Sequence, residues 1–238
     1  MSAAIKLNRQ PIRAITFDLD DTLWDIWPII DRAEQRLHDW LTEHHPQIPA
    51  MFTALELRRL GGDIAREQPQ FAHDRTFLRK QALNLAAEQA GCGEFCVESA
   101  FAIFFAARNE VVFFEEVLAV LQRLARRYTL GALSNGNADI RLVGLGELFD
   151  FSISAVDAGA AKPEPAMFEA ACRYLEVLPG QIVHVGNDPE HDVLGAAQAG
   201  LRTVWVNRRG RAWPGDAPAD AEIKSLVELE DLLERWGR

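Results

Sequence analysis

Three carboxylates, Asp18, Asp20 and Asp21, follow directly on the apolar run Ile12–Phe17 in "AITFDLDDTLWD". Like charges this close repel unless a cation or a reaction uses them. Three more clusters share that setting, polar groups just past an apolar run. "SNGN" (Ser134–Asn137) brings a hydroxyl and amides, "AGAAKPEP" brings Lys162, and "GNDPEHD" (Gly186–Asp192) brings further acids. Acids to hold a hard cation, a lysine to neutralise phosphate oxygens and a hydroxyl to hydrogen-bond them are the inventory of Mg²⁺-assisted phosphoryl transfer. Each cluster alone has a plainer reading: an acid-dressed helix N-terminus, an Asn-Gly turn, a surface lysine, loop acids. Four such accidents in this order are much harder to accept than any one of them.

Strands must deliver these groups to one place. Apolar runs predict strands at Ile12–Phe17, Tyr128–Ser134, Phe151–Val156, Gln181–Gly186 and Arg202–Val206. Helical spacing predicts helices over Phe114–Arg127, Pro163–Val177 and "DVLGAAQAG", closed by Gly200, and a capping box at Ser225–Glu228 opens a last helix through Leu232. "RAWPGDAPADAE" (Arg211–Glu222) reads as a surface loop. Between Trp24 and Phe113 only helices are expected, over Pro28–His44, Thr53–Leu60, Thr76–Gln89 and Glu94–Asn109, with "HHPQIP" as a break. Strand–helix alternation implies a parallel sheet covered on both faces. The expected fold is α/β, a Rossmann-like parallel core of residues 1–23 and 114–238, with an all-helical insertion, 24–113, after the first strand. Ligands of such sheets sit beyond the carboxyl ends of the strands, where all four clusters fall.

Composition narrows the function. The 238 residues are 48% apolar and carry a formal net charge of −10. So acidic a chain argues against nucleic-acid polymers and anionic membranes as partners. An anionic small molecule needs a local cation to draw it in. No apolar run approaches a membrane span, and "MSAAIKLNRQPIR" has no signal-peptide core. Cys92, Cys96 and Cys172 form no framework and are expected as buried apolar residues of a cytoplasmic protein.

"FDLDDTL", "LSNGN", "KPEPAMFEAA" and "VGNDPEHDVLGAAQAGL" together resemble the four motifs of the haloacid dehalogenase-like hydrolase superfamily. The motifs span Phe17 to Leu201. The resemblance implies a mobile helical cap in the position of residues 24–113. It implies Asp18 as nucleophile and Asp20 as acid–base, with Asp18 and the Asp20 backbone carbonyl on Mg²⁺. It implies that Ser134 and the Asn135 amide hold phosphoryl oxygens, that Lys162 offsets charge, and that Thr22 steadies the loop. In dehalogenases of this family the position of Asp20 is not an acid, so Asp20 favours phosphate esters. Many relatives carry Gly-Asp at the start of the fourth motif, and that Asp binds Mg²⁺. Here Asn187 follows Gly186 and Asp188 follows Asn187, leaving two alignments. An anionic ligand suits Mg²⁺ better, which prefers Asp188, with Asp192 behind it pairing with Lys162. Trp24 and Trp27 flank the first crossing into the helices, where they stack on a substrate ring or pack the hinge. "SNGNADIRLVGLGELFDF" is similar to bacterial phosphatases acting on flavin mononucleotide and on a phosphoribitylamino-uracil intermediate of riboflavin synthesis. A generic nucleotide or sugar-phosphate phosphatase is the alternative to that subgroup, and a phosphomutase of the same fold, a 2-haloacid dehalogenase and a non-catalytic binding protein are the alternative functions. A binder has no use for an acid at Asp20.

Overall fold

Ala14–Phe17 (β1) is apolar at every position because both faces of the strand are covered; all four residues are buried. The computed structural model describes residues 10–215 and 218–237. The N-terminal stretch read for a signal peptide lies largely outside them, as do two residues of the loop read at Arg211–Glu222.

β1 sits inside a six-stranded, wholly parallel sheet of order β3-β2-β1-β4-β5-β6. The other strands are Thr129–Ser134 (β2), Phe151–Ser154 (β3), Ile182–Gly186 (β4), Arg202–Val206 (β5) and Ala221–Ile223 (β6). β1 lies between β2 and β4, with Phe17 in register with both Ala132 and Val185. The ends of these three strands therefore present Asp18, Ser134 and Asn187 at one edge. β6 replaces the end of the expected loop: Ile223 accepts the Asn207 N–H and packs into the core.

Helices cover the sheet. They are Val117–Leu124 (α6), Ala155–Ala158 (α7), Ala166–Leu175 (α8), Gly195–Gln198 (α9) and Val227–Gly237 (α10). β3 stops at Ser154, short of the expected Val156, because Ser154 and Asp157 form a capping box that starts α7. A wide helical turn, Pro189–Leu194, precedes α9 and takes the first half of the single helix expected there. Ile15, Phe17, Val120, Leu121, Val183 and Leu229 belong to the main apolar cluster.

Between β1 and α6 the chain forms five helices: Ile26–His44 (α1), Gln47–Met51 (α2), Ala54–Glu67 (α3), Arg75–Gln89 (α4) and Val97–Arg108 (α5). α2 occupies the stretch expected as a break; Ile48 is buried there and holds the turn in place. These helices bury an apolar cluster of their own, including Leu37, Leu41, Leu83, Phe101 and Phe104. The chain leaves and rejoins the sheet at adjacent points: Trp24 pairs with Phe113 in an antiparallel bridge, and the Phe114 N–H donates to the Leu23 carbonyl. Cys96 is exposed, unlike the burial expected of it, and all three cysteines are free. Among the described residues no helix is long and apolar enough to cross a membrane.

Candidate active site

Asp18 leaves β1 with its N–H on the Val185 carbonyl, so the sheet ladder itself fixes where the carboxylate starts. Its Oδ1 accepts from Lys162 Nζ at 2.7 Å and its Oδ2 from Thr22 Oγ1 at 3.1 Å. Lys162 is 2% exposed. Its three N–H bonds are all taken, by Asp18, by the Leu133 carbonyl at 2.7 Å and by Asp192 Oδ1 at 2.6 Å. The Asn135 side chain grips the Lys162 backbone from both sides, donating to its carbonyl at 2.9 Å and accepting from its N–H at 2.7 Å. Asn135 thus sets the lysine, a task the sequence did not suggest.

The charges here are interdependent. Burial drives the Asp18 carboxyl up to about 7 against the pull of Lys162, with Asp192 adding to the rise. Burial acts the same way on Asp192, but Lys162 and a contact from His184 outweigh it and hold Asp192 below the usual carboxylate range. Burial also opposes the charge on Lys162, yet two flanking carboxylates raise it above the usual lysine range. His184, buried in β4, is shifted down by burial and stays neutral. With its proton on Nε2 it donates to Asp192 at 3.4 Å and accepts from Thr16 at Nδ1, 2.9 Å away. Asp192 reaches this spot because Gly186 has no side chain: a Cβ there would lie 2.3 Å from the Asp192 carboxyl.

Asn187 and Asp188 part company. Asn187 Oδ1 accepts from Thr22 Oγ1 at 3.0 Å, so it and Asp18 Oδ2 converge on one hydroxyl. The Asp188 carboxylate, preferred from sequence as a metal ligand, instead caps the turn that follows. It accepts from the N–H groups of Glu190 and His191 at 2.9 and 2.8 Å and pairs with the His191 ring. Among the described residues, no group of three or more His, Cys, Asp or Glu side chains gathers as a metal cage. One carboxylate with amide and backbone oxygens is a set Mg²⁺ takes, since it keeps several of its waters.

Asp20 faces the helical segment. Arg108 Nη2, from the end of α5, donates to both of its oxygens at 2.7 Å, and Trp24 Nε1 donates to Oδ1 at 2.9 Å. Trp24 is fully buried, edge-on to Phe113, so it cannot stack on a substrate. It fixes Asp20 and the crossing between the two parts of the chain instead. Asp21 stands at φ 60° and accepts from the Ile26 N–H at the start of α1, which Asp25 caps. Ser134 is buried, and its Oγ accepts from the Gly136 N–H at 3.0 Å, closing the "SNG" turn.

A cavity of about 450 Å³ opens from Asp20 and Gly136 into the helices, past Trp27, Leu57 and Phe104. Arg58, Arg75, Arg79 and Arg108 line it against two carboxylates, Asp20 and Glu34. This is the local cation surplus that an acidic chain needs for an anionic ligand. Arg79 lies over Phe104 at 3.6 Å and pairs with Glu34 at 3.2 Å. Arg108 escaped the sequence reading altogether. Its one signal was a charge closing the apolar stretch "AFAIFFAA". Its Nη1 is buried with no hydrogen-bond partner among the described residues, an arrangement that costs about 1–3 kcal/mol or more.

Gly136 is where these groups meet. A Cβ there would stand 2.6 Å from Asp20 Oδ2, 3.2 Å from Arg108 Nη2 and 3.3 Å from Ser134 Oγ. Gly136→Ala is expected to force the Asp20–Arg108 pair apart, destabilising the fold by about 1–3 kcal/mol as overpacking does. A thermal melt unchanged from wild type would show that the loop does not approach Asp20 this closely.

Comparison with known proteins follows the same lines. The family model of the haloacid dehalogenase-like hydrolases matches residues 12–200. The 5-amino-6-(5-phospho-D-ribitylamino)uracil phosphatase YigB of Escherichia coli K12 is 32% identical, over 93% of this chain and 96% of its own length. A solved structure named 2-haloacid dehalogenase, from Pseudomonas syringae pv. tomato DC3000, is 41% identical with TM-score 0.88, over 94% of this chain and 99% of that one. A HAD phosphatase of Thermococcus onnurineus is 26% identical with TM-score 0.68, over 93% of this chain and 98% of its own. Family model and full-length relatives agree with the strand-end motifs, and the chain belongs to the haloacid dehalogenase-like hydrolases.

Proposed function

We propose that this hydrolase is a Mg²⁺-dependent phosphatase of small phosphate monoesters, working through an aspartyl-phosphate on Asp18. The observation that carries the reading is the placement of two carboxylates with separate partners at one strand end. Asp18 sits on Lys162, and Asp20 faces the cavity. A dehalogenase has work for the first and none for the second.

An Asp18 oxygen attacks phosphorus, and the bond from phosphorus to the ester oxygen breaks. Asp20 hands its proton to the departing alkoxide. Asp20 then takes a proton from water, which attacks the same phosphorus and frees phosphate and Asp18. Ser134 and the Asn135 N–H hold phosphoryl oxygens. Lys162 lowers the repulsion between a carboxylate and a phosphate dianion, several kcal/mol at about 4 Å and ε about 20. Mg²⁺, when bound, neutralises phosphoryl charge. Asp18, the Asp20 backbone carbonyl and Asn187 would hold it, and Thr22 orients the two side chains. We assign Asn187 this place over Asp188 because its oxygen already meets the Asp18 hydroxyl partner. Asp192 serves Lys162. Asn187→Asp is expected to tighten Mg²⁺ binding several-fold in calorimetric titration, because an anionic oxygen replaces a neutral one. Unchanged affinity would remove Asn187 from the metal site.

Residues 24–113 act, in this reading, as a cap over the site, and their cavity selects the leaving group. The likeness to the E. coli enzyme favours a flat ring on a phosphorylated polyol, and the apolar walls and rim of donors suit one. Free cysteines suit a cytoplasmic setting. Dehalogenation is the second reading, favoured by the 41% identity to the P. syringae protein and opposed by Asp20. A parallel assay decides: phosphate release from a panel including flavin mononucleotide with Mg²⁺, beside halide release from 2-haloacids. Halide release without phosphate release would overturn the phosphatase reading.

A further inference from the structure

Arg108 holds Asp20 with one end of its guanidinium and leaves the other unused. Nη2 makes both contacts to the carboxylate, at 2.7 Å each. Nη1 is buried and, among the described residues, has no acceptor. If Arg108 only oriented Asp20, an arrangement with two nitrogens on two oxygens would serve better and strand nothing. The residue also borders the cavity, beside the turn proposed to seat the phosphoryl group: the vacant Cβ position of Gly136 lies 3.2 Å from Nη2 and 3.3 Å from Ser134 Oγ. A permanent cation on the cavity wall, with Nη2 next to that turn and Nη1 buried without an acceptor among the described residues, matches an anionic oxygen.

We propose that Arg108 is a substrate-binding residue supplied by the helical segment. Nη1 takes an anionic oxygen of the bound ester while Nη2 keeps Asp20. This rests on the phosphatase reading. Two sources offer such an oxygen: the phosphoryl group itself, or a carboxylate carried by the leaving group. Either way α5 contributes directly to the bound state, and a substrate is sensed by the same guanidinium that positions the acid.

The test uses the full chain with Arg108→Lys and Arg108→Gln. Steady-state kinetics are run on p-nitrophenyl phosphate and on phosphoglycolate, whose leaving group carries a carboxylate. Calorimetry measures the binding of inorganic phosphate. Loss of one charge-assisted contact predicts a rise in KM, with kcat/KM falling roughly 10–100-fold. If the phosphoryl group is the partner, both esters suffer and phosphate binds correspondingly more weakly. If a leaving-group carboxylate is the partner, the rise in KM is confined to phosphoglycolate and phosphate binds as before. Guanidinium added to Arg108→Ala should restore part of the loss, and ethylammonium should not. The proposal is overturned if the Lys and Gln variants keep wild-type KM on both esters and wild-type phosphate affinity, with only kcat lowered. That pattern means Arg108 merely orients Asp20. Should Arg108→Gln melt early, Arg108→Lys carries the test, since it keeps the charge. Wild type that neither releases nor binds phosphate would remove the phosphatase reading and this proposal together. Wild-type turnover with unaltered variants would remove this one alone.

Discussion

Asp18→Asn is expected to lower kcat by on the order of 10⁴–10⁶-fold, the scale of losing a nucleophile that works as part of a set, while the protein still folds. An amide cannot form the acyl-phosphate, yet it fits the same space and keeps contacts to Lys162 and Thr22. The variant also carries a pH signature. Burial pushes the Asp18 carboxyl up to about 7 in the fold, whereas in the unfolded chain it has its ordinary value near 3.8. Between those values the fold binds the proton more tightly than the unfolded chain does. Asp18 therefore favours the fold at low pH, and that advantage is lost as pH rises through about 7. Asp192 works in the other direction: depressed in the fold, it favours folding above the ordinary carboxylate range and loses this only in stronger acid. Comparing wild type with Asp18→Asn, the stability difference should shift in favour of the variant by about 2.5 kcal/mol between pH 5 and 8. Denaturant melts without metal at the two pH values check this. Turnover equal to wild type would dismiss Asp18 as nucleophile, and a pH-independent difference would dismiss its raised titration.

Lys162→Met is the second large effect. The methionine matches the volume, but Asp18 and Asp192 would then face each other in a buried site with no cation between them. Breaking a buried pair by removing one partner costs about 3–5 kcal/mol, a drop of roughly 10 °C in Tm for a chain of this size. Activity should fall with it, because nothing then offsets the approach of a phosphate dianion. The double variant Lys162→Met/Asp192→Asn separates the two consequences. It should recover most of the stability, since one stranded charge is gone, and none of the turnover. Additive losses in the double variant would mean that Lys162 and Asp192 do not act on each other, contrary to their 2.6 Å contact.

The sequence carried what depends on local pattern. β1, β2 and β4 are short apolar runs that end in polar turns, and Asp18 after the first and Asp192 beyond the last meet on Lys162. β6 was missed because three residues beside a Pro- and Ala-rich loop have no pattern of their own; the strand exists because β5 offers an open edge. The choice between Asn187 and Asp188 turned on a rule about charge, while the turn at Pro189–Leu194 needed a cap and recruited the Asp188 carboxylate. Trp24 looked available because aromatic residues near a hinge often are, but the bridge to Phe113 draws it inside. Arg108 and Glu34 were invisible for a deeper reason. Each owes its place to a partner far away in the chain, Asp20 for one and Arg58 with Arg79 for the other. No window of sequence contains both halves.

The bridge between Trp24 and Phe113 sets how this protein can be re-engineered. Opposed residues of an antiparallel pair lie roughly 4.5–5.5 Å apart, so the two cut points of the helical segment are already neighbours. A donor segment from a relative, ending in its own paired residues, can be spliced at these two points without re-threading any strand. If the helical segment selects the leaving group, as proposed, such a chimera would keep the reaction of the sheet edge and take on the appetite of its donor. Arg108 marks the limit of that freedom, because it travels with the graft yet is needed at home by Asp20.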